Sequence, residues 1–271
     1  MNPFENKIIL ITGASSGIGE ALSIELYNQG ASVAMAARNL DGMQAITKEN
    51  NFDVKRFLLV ETDVTEPQDC QRFIEKSIEK FQKIDVLINN AGVSMRANFL
   101  DCSFETLHQL MNVNFWGATY CTKFALPHII KTKGSIVGVS SIAAVNGLPG
   151  RTGYSSSKFA LHGLFEALRI ENLTNKVNFL LVSPGWTSTN IRNNALIGNG
   201  SRQGSSPRNE KKMSTPQEIA KIIAKGILKR KKFIVQSSTG ISMFWLKKFV
   251  PRLVDKLIHN SLKKEEGAPF N

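Results

Sequence analysis

The chain has 271 residues, 42% of them hydrophobic, which suits one α/β domain with a large core. Its three cysteines and four histidines show neither the spacing of a disulfide framework nor that of metal ligands. No apolar run is long enough to span a membrane, and the N-terminus lacks a signal-peptide pattern, so we expect a cytoplasmic protein without a metal.

The formal net charge of +12 lies entirely in the C-terminal third of the chain. Residues 1–191 hold 17 Lys/Arg and 17 Asp/Glu, whereas residues 192–271 hold 17 Lys/Arg and 5 Asp/Glu. Any function that needs a basic surface is therefore expected there. Nucleic-acid binding would explain the charge, but no recognised nucleic-acid-binding motif accompanies it, so we do not expect a nucleic-acid partner.

In chain order, six short segments rich in Ile, Val and Leu are typical of buried strands. They are Lys7–Thr12, Ser32–Ala37, Phe57–Thr62, Val86–Asn89, Ser135–Ser140 and Val177–Val182. Between them lie helical patterns near residues 17–29, 41–50, 67–81, 103–131 and 154–173. This alternation predicts parallel pairing through right-handed crossovers, and therefore an α/β fold with a Rossmann-like, doubly wound parallel sheet flanked by helices.

Beyond the sixth strand the pattern changes. Residues 190–214 are rich in Gly, Ser and Asn, and we expect a mobile loop that acts as a lid. Thr215-Pro-Gln-Glu218 predicts a helix start, and Phe233–Gln236 predicts a further strand. We therefore divide the chain into a Rossmann-like domain over residues 1–240 and a basic amphipathic extension over residues 241–271.

The stretch TGASSGIG, residues 12–19, lies between the first strand and the first helix. Glycines here allow a sharp turn and a close approach of the backbone to a pyrophosphate, which the helix N-terminus attracts. The spacing GxxxGxG differs from the commoner GxGxxG, and no lysine follows as in a nucleotide-triphosphate loop. An ordinary strand-to-helix turn is the alternative, but the position after an N-terminal strand favours a dinucleotide site.

The end of the second strand indicates which dinucleotide binds. An NAD site usually has an acidic residue there for the ribose hydroxyls, but this chain reads Ala36-Ala37-Arg38-Asn39. The Arg38 guanidinium can pair with the 2′-phosphate of NADP, and Ser15 can donate a further hydrogen bond to it. A solvated surface cation is the alternative for Arg38. We favour NADP(H) over NAD(H).

Tyr154 and Lys158 stand four residues apart in GYSSSK, one turn apart on the same face of a predicted helix. A phenol has a pKa of about 10 and is a poor base at neutral pH. A nearby ammonium favours the phenolate, so we expect Lys158 to lower the pKa of Tyr154. Exposed surface pairs have the same spacing, and the spacing alone does not decide between the two interpretations.

Taken together, the motifs resemble those of the short-chain dehydrogenase/reductase (SDR) family over about residues 5–190. They occur in the family's order and comprise TGASSGIG at 12–19, Asp63-Val64, Asn89-Asn90-Ala91-Gly92, Asn114, Ser141, Tyr154 with Lys158, and Pro184-Gly185 with Thr189. The resemblance implies a Rossmann-like oxidoreductase that acts on CH–OH groups with NAD(P). It also implies a homo-dimer or homo-tetramer formed through the helices near 103–131 and 154–173.

The resemblance also implies the catalytic roles. Tyr154 would be the general acid/base, giving a proton to a carbonyl oxygen as hydride arrives from the nicotinamide. Ser141 would hydrogen-bond the substrate oxygen, with the adjacent Ser140 as the chemical alternative. Asn114 would hold a water that links the catalytic lysine to solvent, with Asn112 as the alternative.

The remaining motif residues are implied to bind the cofactor. Asp63 would contact the adenine, Asn90 the adenine-ribose region, Thr189 the carboxamide and Lys158 the nicotinamide ribose. The expected set is Gly13, Ser15, Ser16, Gly17, Ile18, Gly19, Arg38, Asp63, Val64, Asn90, Ala91, Gly92, Tyr154, Lys158, Pro184, Gly185 and Thr189. All four catalytic positions are filled, which argues against a fold that kept NADP binding and lost turnover.

The segments that carry substrate contacts in the family are apolar here. They offer Val145, Leu148, Phe159, Trp186 and Ile191, with Met95 and Phe99 near the end of the fourth strand. These side chains predict a hydrophobic carbonyl or alcohol substrate, lipid-, steroid- or retinoid-like. Packing in the core is the alternative for each of them.

Residues 241–258 carry apolar side chains at helical spacing, interleaved with Lys247, Lys248, Arg252 and Lys256. This pattern is typical of an interfacial helix whose cations meet anionic headgroups, and Trp245 supports that interpretation. An amphipathic helix packed on the core or on a subunit is the alternative. The tail loosely resembles those of lipid- and hydroxysteroid-type members of the family.

We therefore predict an NADP(H)-dependent oxidoreductase that interconverts a hydrophobic ketone or aldehyde and the corresponding alcohol. The rival hypothesis is an NADP-sensing or peripheral membrane-binding module with little turnover. Under either hypothesis we expect a cytoplasmic protein whose basic tail can associate with a membrane surface.

Overall fold

A computed structural model describes residues 2–206, 213–265 and 267–270 of the chain. Its strands are β1 Ile8–Thr12, β2 Ser32–Ala37, β3 Phe57–Glu61, β4 Val86–Asn89, β5 Ser135–Val139, β6 Asn178–Ser183 and β7 Phe233–Val235. Its helices are α1 Gly17–Asn28, α2 Leu40–Glu49, α3 Pro67–Phe81, α4 Phe104–Met111, α5 Gly117–Thr132, α6 Thr152–Glu171, α7 Pro216–Leu228, α8 Ser238–Phe249 and α9 Pro251–Lys263.

The strands form one parallel sheet in the order β3-β2-β1-β4-β5-β6-β7. The first six begin and end within one residue of the predicted segments, because their continuous apolar runs suit strands that are covered on both faces. The strand order reverses between β1 and β4, where a crevice opens at the carboxyl ends of parallel strands. The predicted doubly wound Rossmann-like fold is confirmed.

Apolar side chains cover both faces of this sheet. One core cluster joins the strands to α1, α2 and α7, and a second joins them to α3, α5 and α6. α7 begins as predicted, with a capping box in which the Thr215 hydroxyl accepts from the Glu218 amide and the Glu218 carboxylate accepts from the Thr215 amide. The sequence beyond β6 therefore completes the fold, because it supplies α7 and the last strand, β7.

The predicted helix over residues 103–131 is interrupted by a π-helical turn, Asn112–Trp116, between α4 and α5. Within this turn, the Asn114 side chain accepts a hydrogen bond from the Val93 amide and donates one to the Val93 carbonyl, both at 2.9 Å. A π turn adds a residue without breaking the run of helical residues, so the apolar spacing did not reveal it.

The segment predicted as a lid, residues 190–214, is described except for residues 207–212, which lie outside the described part of the chain. Its Leu196 is buried and forms isolated bridges with Met95 and Arg202, and Ser214 forms another with Thr187. These contacts hold the described part of the segment against the loops that follow β4 and β6.

The interfacial helix predicted over residues 241–258 is two helices, α8 and α9, and that prediction of a single helix is wrong. Pro251 opens α9 and disfavours a helical conformation at the residue before it. Val250 accordingly has φ −133° and ψ 61°. The predicted domain boundary after residue 240 falls within α8.

The two C-terminal helices lie in different surroundings. α9 buries Val254, Ile258 and Leu262 in a cluster that includes Leu148 and Trp186. α8 leaves most of its large apolar side chains exposed, namely Ile241, Trp245, Leu246 and Phe249. Core packing, the alternative interpretation of the tail, therefore holds for α9. Within the described ranges, no helix is both long and apolar enough to cross a bilayer.

Candidate active site

A cavity of about 650 Å³ opens at the carboxyl ends of the strands, beside the reversal of strand order. It brings together most of the residues predicted for the site, from the loops after the first six strands and from α6. Those that line it are Gly13, Ser15, Ser16, Gly17, Ile18, Arg38, Asp63, Val64, Asn90, Ala91, Gly92, Ser141, Tyr154, Lys158, Pro184, Gly185 and Thr189. Gly19 and Asn114 lie behind the wall, where they support its shape.

The glycine loop is built on close backbone contacts. Gly13 has φ +64°, in the region that favours glycine, and a Cβ there would lie 2.8 Å from the Ala91 Cα. A Cβ on Gly19 would lie 2.1 Å from the Gly13 carbonyl oxygen. The loop therefore has no space for these side chains, and it leaves the start of α1 open to the cavity, as a pyrophosphate site requires.

The turn after β4 is fastened to this loop. The Asn90 amide group donates to the carbonyls of Thr12 and Gly13, at 3.0 and 3.1 Å. The Thr12 hydroxyl accepts from the backbone amides of Asn90 and Ala91, at 3.0 and 3.1 Å. The Asn90 side chain thus holds the shape of the loop, in addition to lining the cavity.

Arg38 and Asp63 face each other at the outer end of the cavity, with 3.7 Å between the guanidinium and the carboxylate. The Arg38 side chain is 66% exposed, so its charge is available to a ligand entering from solvent. Asp63 also accepts hydrogen bonds from the amide and hydroxyl of Thr65, at 2.9 Å each, which orient its carboxylate.

At the other end, Thr189 approaches the glycine loop, since a Cβ on Gly17 would lie 3.3 Å from the Thr189 methyl carbon. The Gly185 amide donates to the Gln236 side chain at 2.9 Å, and Gln236 in turn donates to the Ser214 hydroxyl at 2.7 Å. These bonds tie the turn after β6 to the end of β7, a long-range contact that the sequence pattern did not indicate.

Tyr154 lies in the first turn of α6 and is buried against Met95, Leu110 and Leu196. Burial raises the pKa of its phenol, while a hydrogen bond with Ser141 and the charge of Arg151 act in the opposite direction. The Ser141 hydroxyl is itself oriented, because it accepts from the Ala143 amide at 3.1 Å. At neutral pH the phenol is therefore protonated and able to donate.

Lys158 is buried one turn further along α6 and donates to the Val139 carbonyl at 3.0 Å. Burial lowers the pKa of its ammonium to about 8. Its nitrogen lies 5.9 Å from the centre of the Tyr154 ring, and the pKa of Tyr154 is nevertheless raised. The expectation that Lys158 lowers the pKa of Tyr154 is wrong for this structure, because burial dominates both groups.

Asn114 is buried and its side chain is fully engaged, since besides Val93 it donates to the Ser157 hydroxyl at 2.9 Å. A Cβ on Gly92 would lie 3.1 Å from the Asn114 oxygen and 3.4 Å from the Lys158 nitrogen. Asn114 and Lys158 are thus neighbours beneath the loop after β4, with the Asn114 side chain holding that loop.

Of the apolar residues predicted to contact substrate, Leu148, Trp186 and Ile191 line the cavity. Met95 lies behind the wall, in the cluster that buries Tyr154. Val145 is also buried, 6% exposed, but does not line the cavity.

Phe99 and Phe159 are 58% and 43% exposed and do not line the cavity. Phe159 follows Lys158 directly on α6, and successive residues of a helix point about 100° apart. Because Lys158 faces inward, Phe159 faces outward.

Three arginines in the cavity wall were not predicted from the sequence. They are Arg151, Arg192 and Arg202. Arg192 is buried and donates to the Thr187 carbonyl at 2.9 Å and to the Ser206 hydroxyl at 3.1 Å. Arg151 stands three residues before Tyr154, so helical spacing could have placed it beside the phenol. The other two lie on loops, where spacing carries no such signal.

A family model described as short chain dehydrogenase matches residues 7–199, which include the glycine loop and every predicted catalytic residue. The chain belongs to the short-chain dehydrogenase family. The predicted class of enzyme is thereby confirmed: this short-chain dehydrogenase is an oxidoreductase that acts on CH–OH groups with NAD(P).

Among curated proteins, this short-chain dehydrogenase is similar to Arabidopsis thaliana 11-beta-hydroxysteroid dehydrogenase-like 2, at 35% identity over 94% of the chain and 82% of the relative. It is also similar to a Drosophila melanogaster dehydrogenase/reductase SDR family protein 7-like, at 31% identity over 98% of the chain and 84% of the relative. The predicted likeness to hydroxysteroid-type members is confirmed.

Among solved structures, a Thermococcus sibiricus alcohol dehydrogenase complexed with 5-hydroxy-NADP is similar at 27% identity and a TM-score of 0.72, covering 84% of this chain and 95% of that one. A Burkholderia phymatum SDR in complex with NAD shares the fold at 22% identity and a TM-score of 0.81, covering 93% of this chain and 96% of that one. Both nicotinamide dinucleotides thus occur among the neighbours.

Proposed function

We propose that the protein uses NADP(H) to interconvert a hydrophobic ketone or aldehyde and its alcohol, with Tyr154 as the general acid/base. One observation carries this proposal: the buried Tyr154 phenol and its Ser141 partner face the same cavity as the glycine loop. The nicotinamide would supply or accept the hydride. The residues of the chain bind the reactants, orient them and move the proton.

The acid/base step follows from the state of Tyr154. Its raised pKa keeps the phenol protonated at neutral pH, so it donates to a carbonyl oxygen that Ser141 also hydrogen-bonds. In the reverse direction the phenolate is needed, so alcohol oxidation increases as the pH rises towards the pKa of Tyr154. Lys158, whose nitrogen lies under the loop after β4, would hold the ribose hydroxyls.

The test is Tyr154→Phe, with Tyr120→Phe as the matched control. Tyr120 stacks on Trp116, at 5.8 Å between ring centres, and does not line the cavity. We expect Tyr154→Phe to lower kcat at least about 100-fold in both directions while NADPH affinity is retained, and Tyr120→Phe to leave turnover unchanged. Turnover retained by Tyr154→Phe would remove the phenol from the mechanism. Because the variant would still turn over substrate, this outcome would not support an NADP sensor or a pure binding module either.

The preference for NADP rests on the end of β2. Arg38 is largely exposed, and its neighbours in the chain are not acidic, since Ala37 precedes it at the end of β2 and Asn39 caps α2. A charge-assisted hydrogen bond contributes about 1.5–3 kcal/mol, or roughly 10- to 100-fold in affinity. Arg38→Ala should weaken NADPH binding by that factor and leave NADH binding nearly unchanged; calorimetry measures both. Equal loss for both dinucleotides would contradict the role.

The substrate would carry its carbonyl on an apolar skeleton, because Leu148, Trp186 and Ile191 line the same cavity as Tyr154. The relatives named hydroxysteroid dehydrogenase-like support a steroid- or lipid-like ketone. We expect kcat/KM with NADPH to increase from small aliphatic ketones to polycyclic ones. Trp186→Ala should reduce this difference, and an unchanged preference would place the apolar group elsewhere.

Peripheral contact with anionic lipid would use the exposed face of α8. Trp245 and Phe249 are 55% and 79% exposed, and the Lys248 ammonium lies 4.6 Å from the centre of the Trp245 ring. Insertion of one exposed phenylalanine contributes about 1.5–3 kcal/mol, so Phe249→Ser should weaken co-sedimentation with phosphatidylserine vesicles at least about tenfold. The control is Phe104→Ser, 74% exposed on α4, and equal binding by both variants would contradict this surface.

Assembly into a dimer or tetramer would use the outer faces of α5 and α6. Trp116, at the start of α5, and Phe159, on α6, are each 43% exposed, which suits side chains that a second copy covers. Light scattering coupled to size exclusion should show a multiple of the 30.0 kDa chain mass, and Phe159→Asp should lower it. A monomer in both cases would contradict the proposal.

A further inference from the structure

Arg151 occupies an unusual place in the site. It is the N-terminal flanking residue of α6, three positions before Tyr154, and it lines the cavity with that tyrosine. The residue is only 6% exposed. A guanidinium is always protonated in proteins, so this position brings a permanent positive charge into a largely buried region.

The C-terminal segment supplies a carboxylate for this charge. A terminal nitrogen of Arg151 lies 3.6 Å from the Glu265 carboxylate, which also lies 3.8 Å from the Arg96 Nε. The side chains of all three are nearly buried, at 8%, 6% and 12% exposure for Arg151, Glu265 and Arg96. The Arg151 guanidinium also lies 5.3 Å from the centre of the Trp186 ring.

Packing fixes where Glu265 lies. α9 buries Ile258 and Leu262 in the cluster with Leu148 and Trp186, both of which line the cavity. Beyond α9, Pro269 lies against the loop before α6, since a Cβ on Gly150 would lie 2.7 Å from the Pro269 ring. The described residues after α9 thus lie against the wall of the site and carry a carboxylate to Arg151.

We propose that Arg151 and Glu265 form a charge pair that sets the electrostatic environment of the Tyr154 hydroxyl, with Arg151 favouring the phenolate and Glu265 moderating that effect. Glu265 is a positioning residue: it acts through Arg151 and connects the seating of the C-terminal segment to proton transfer. This inference rests on the proposed role of Tyr154.

Other titratable and charged groups lie on the elements around the phenol. Arg192 and Arg202 line the same cavity and also stay charged, but the charge that lowers the pKa of Tyr154 is that of Arg151. On α6, Lys158 has a pKa of about 8, and it loses its proton in the range where a buried tyrosine with a raised pKa begins to ionise. His162, further along α6, has a pKa of about 4 and is neutral there. The Ser141 hydroxyl is uncharged, and the Cys102 thiol, in the cluster behind Tyr154, has a raised pKa. Arg151 stays charged throughout.

The experiment measures the ionisation of Tyr154 directly. The chain has three tyrosines, so the near-ultraviolet pH titration of each protein minus that of its Tyr154→Phe counterpart isolates this phenol. We expect Arg151→Met to raise the titration midpoint by roughly one pH unit or more. Arg151→Lys keeps the positive charge, so its midpoint should lie much closer to that of the parent protein. Glu265→Gln should move the midpoint down, because Arg151 is then less neutralised.

Opposite shifts from Arg151→Met and Glu265→Gln are the signature of a charge pair, since a loss of packing alone would move both variants in one direction. The alkaline limb of kcat/KM for alcohol oxidation should move with the titration. Circular dichroism shows whether Arg151→Met folds. If it does not, Glu265→Gln and Arg151→Lys still show in which direction the charge pair shifts the titration midpoint of Tyr154.

An unchanged midpoint in Glu265→Gln, or no restoration by Arg151→Lys, would overturn the inference while Tyr154 keeps its role. Full turnover by Tyr154→Phe would instead overturn the proposed function, whatever the titrations show. The two failures are therefore distinguishable.

Discussion

The glycine loop lines the cavity, whereas α9 packs behind Leu148 and Trp186 in another part of the cavity wall, and different interactions determine the shapes of the two regions. In the loop, backbone atoms meet backbone atoms, and the absence of side chains is what allows the fold. In the tail, shape depends on side chains: α9 is held by buried Val254, Ile258 and Leu262, whereas α8 has few such contacts. A motif can therefore identify the first region, but it cannot identify the second.

The largest expected effect is in the glycine loop. Gly19→Ala places a methyl group 2.1 Å from the Gly13 carbonyl oxygen, a contact that only movement of the backbone can relieve. We expect NADPH binding to be lost, or the protein to fold poorly, as measured by fluorescence titration and circular dichroism.

The control for this change is Gly163→Ala. A Cβ at Gly163, on α6, meets no atom within 4 Å. Alanine is favoured over glycine in helices by about 1 kcal/mol, so this variant should be at least as stable as the parent. Nucleotide binding retained by Gly19→Ala would show that the loop is less tightly packed than the structure indicates.

A second prediction compares two leucines of α9. Leu262 is 4% exposed and Leu257 is 45% exposed, so the same substitution tests burial alone. We expect Leu262→Ala to lower the free energy of unfolding by about 2–5 kcal/mol and Leu257→Ala by less than about 1 kcal/mol. Denaturant titrations of both variants measure this difference, and equal losses would mean that α9 is not seated as described.

The third prediction concerns His162, where the site meets the tail. Its Nε2 lies 2.8 Å from the Ser140 hydroxyl, and its ring packs against Phe233, which contacts Phe244 of α8. Burial, and secondarily the charge of Lys158, lower the pKa of His162 to about 4. Between about pH 6.5 and pH 4 the unfolded chain therefore binds the proton more readily, and stability decreases as the pH falls.

We expect this residue to account for about 1–2 kcal/mol of the stability lost between about pH 6.5 and pH 5. His162→Asn should flatten that part of the stability profile, measured by urea unfolding at several pH values. A profile as steep as that of the parent would assign the loss to other groups.

The smallest expected effect lies at the break between the two tail helices. Pro251 suits the first position of α9, and proline reduces the freedom of the unfolded chain. Pro251→Ala should therefore lower stability by about 0.4–1 kcal/mol, measured by thermal unfolding. An increase in stability would instead mean that the proline holds Val250 in a strained conformation.

The cofactor end of the site was largely predictable. The strands matched within one residue, and all predicted cofactor residues except Gly19 line the cavity. The π turn at Asn112–Trp116 was not predictable, because it leaves the apolar spacing intact. The direction of the Tyr154 pKa shift was also missed, since spacing places Lys158 nearby but does not reveal how deeply both groups are buried.

Local sequence patterns predict the doubly wound sheet, the glycine loop and the placement of Tyr154 and Lys158 on one helix, because runs of apolar residues, glycine spacing and helical spacing are local properties. Local patterns do not predict which face of the tail is buried, or that Glu265 lies beside Arg151, 114 residues earlier in the chain. Such contacts depend on how α9 packs against Leu148 and Trp186, and on the solvent that this packing excludes.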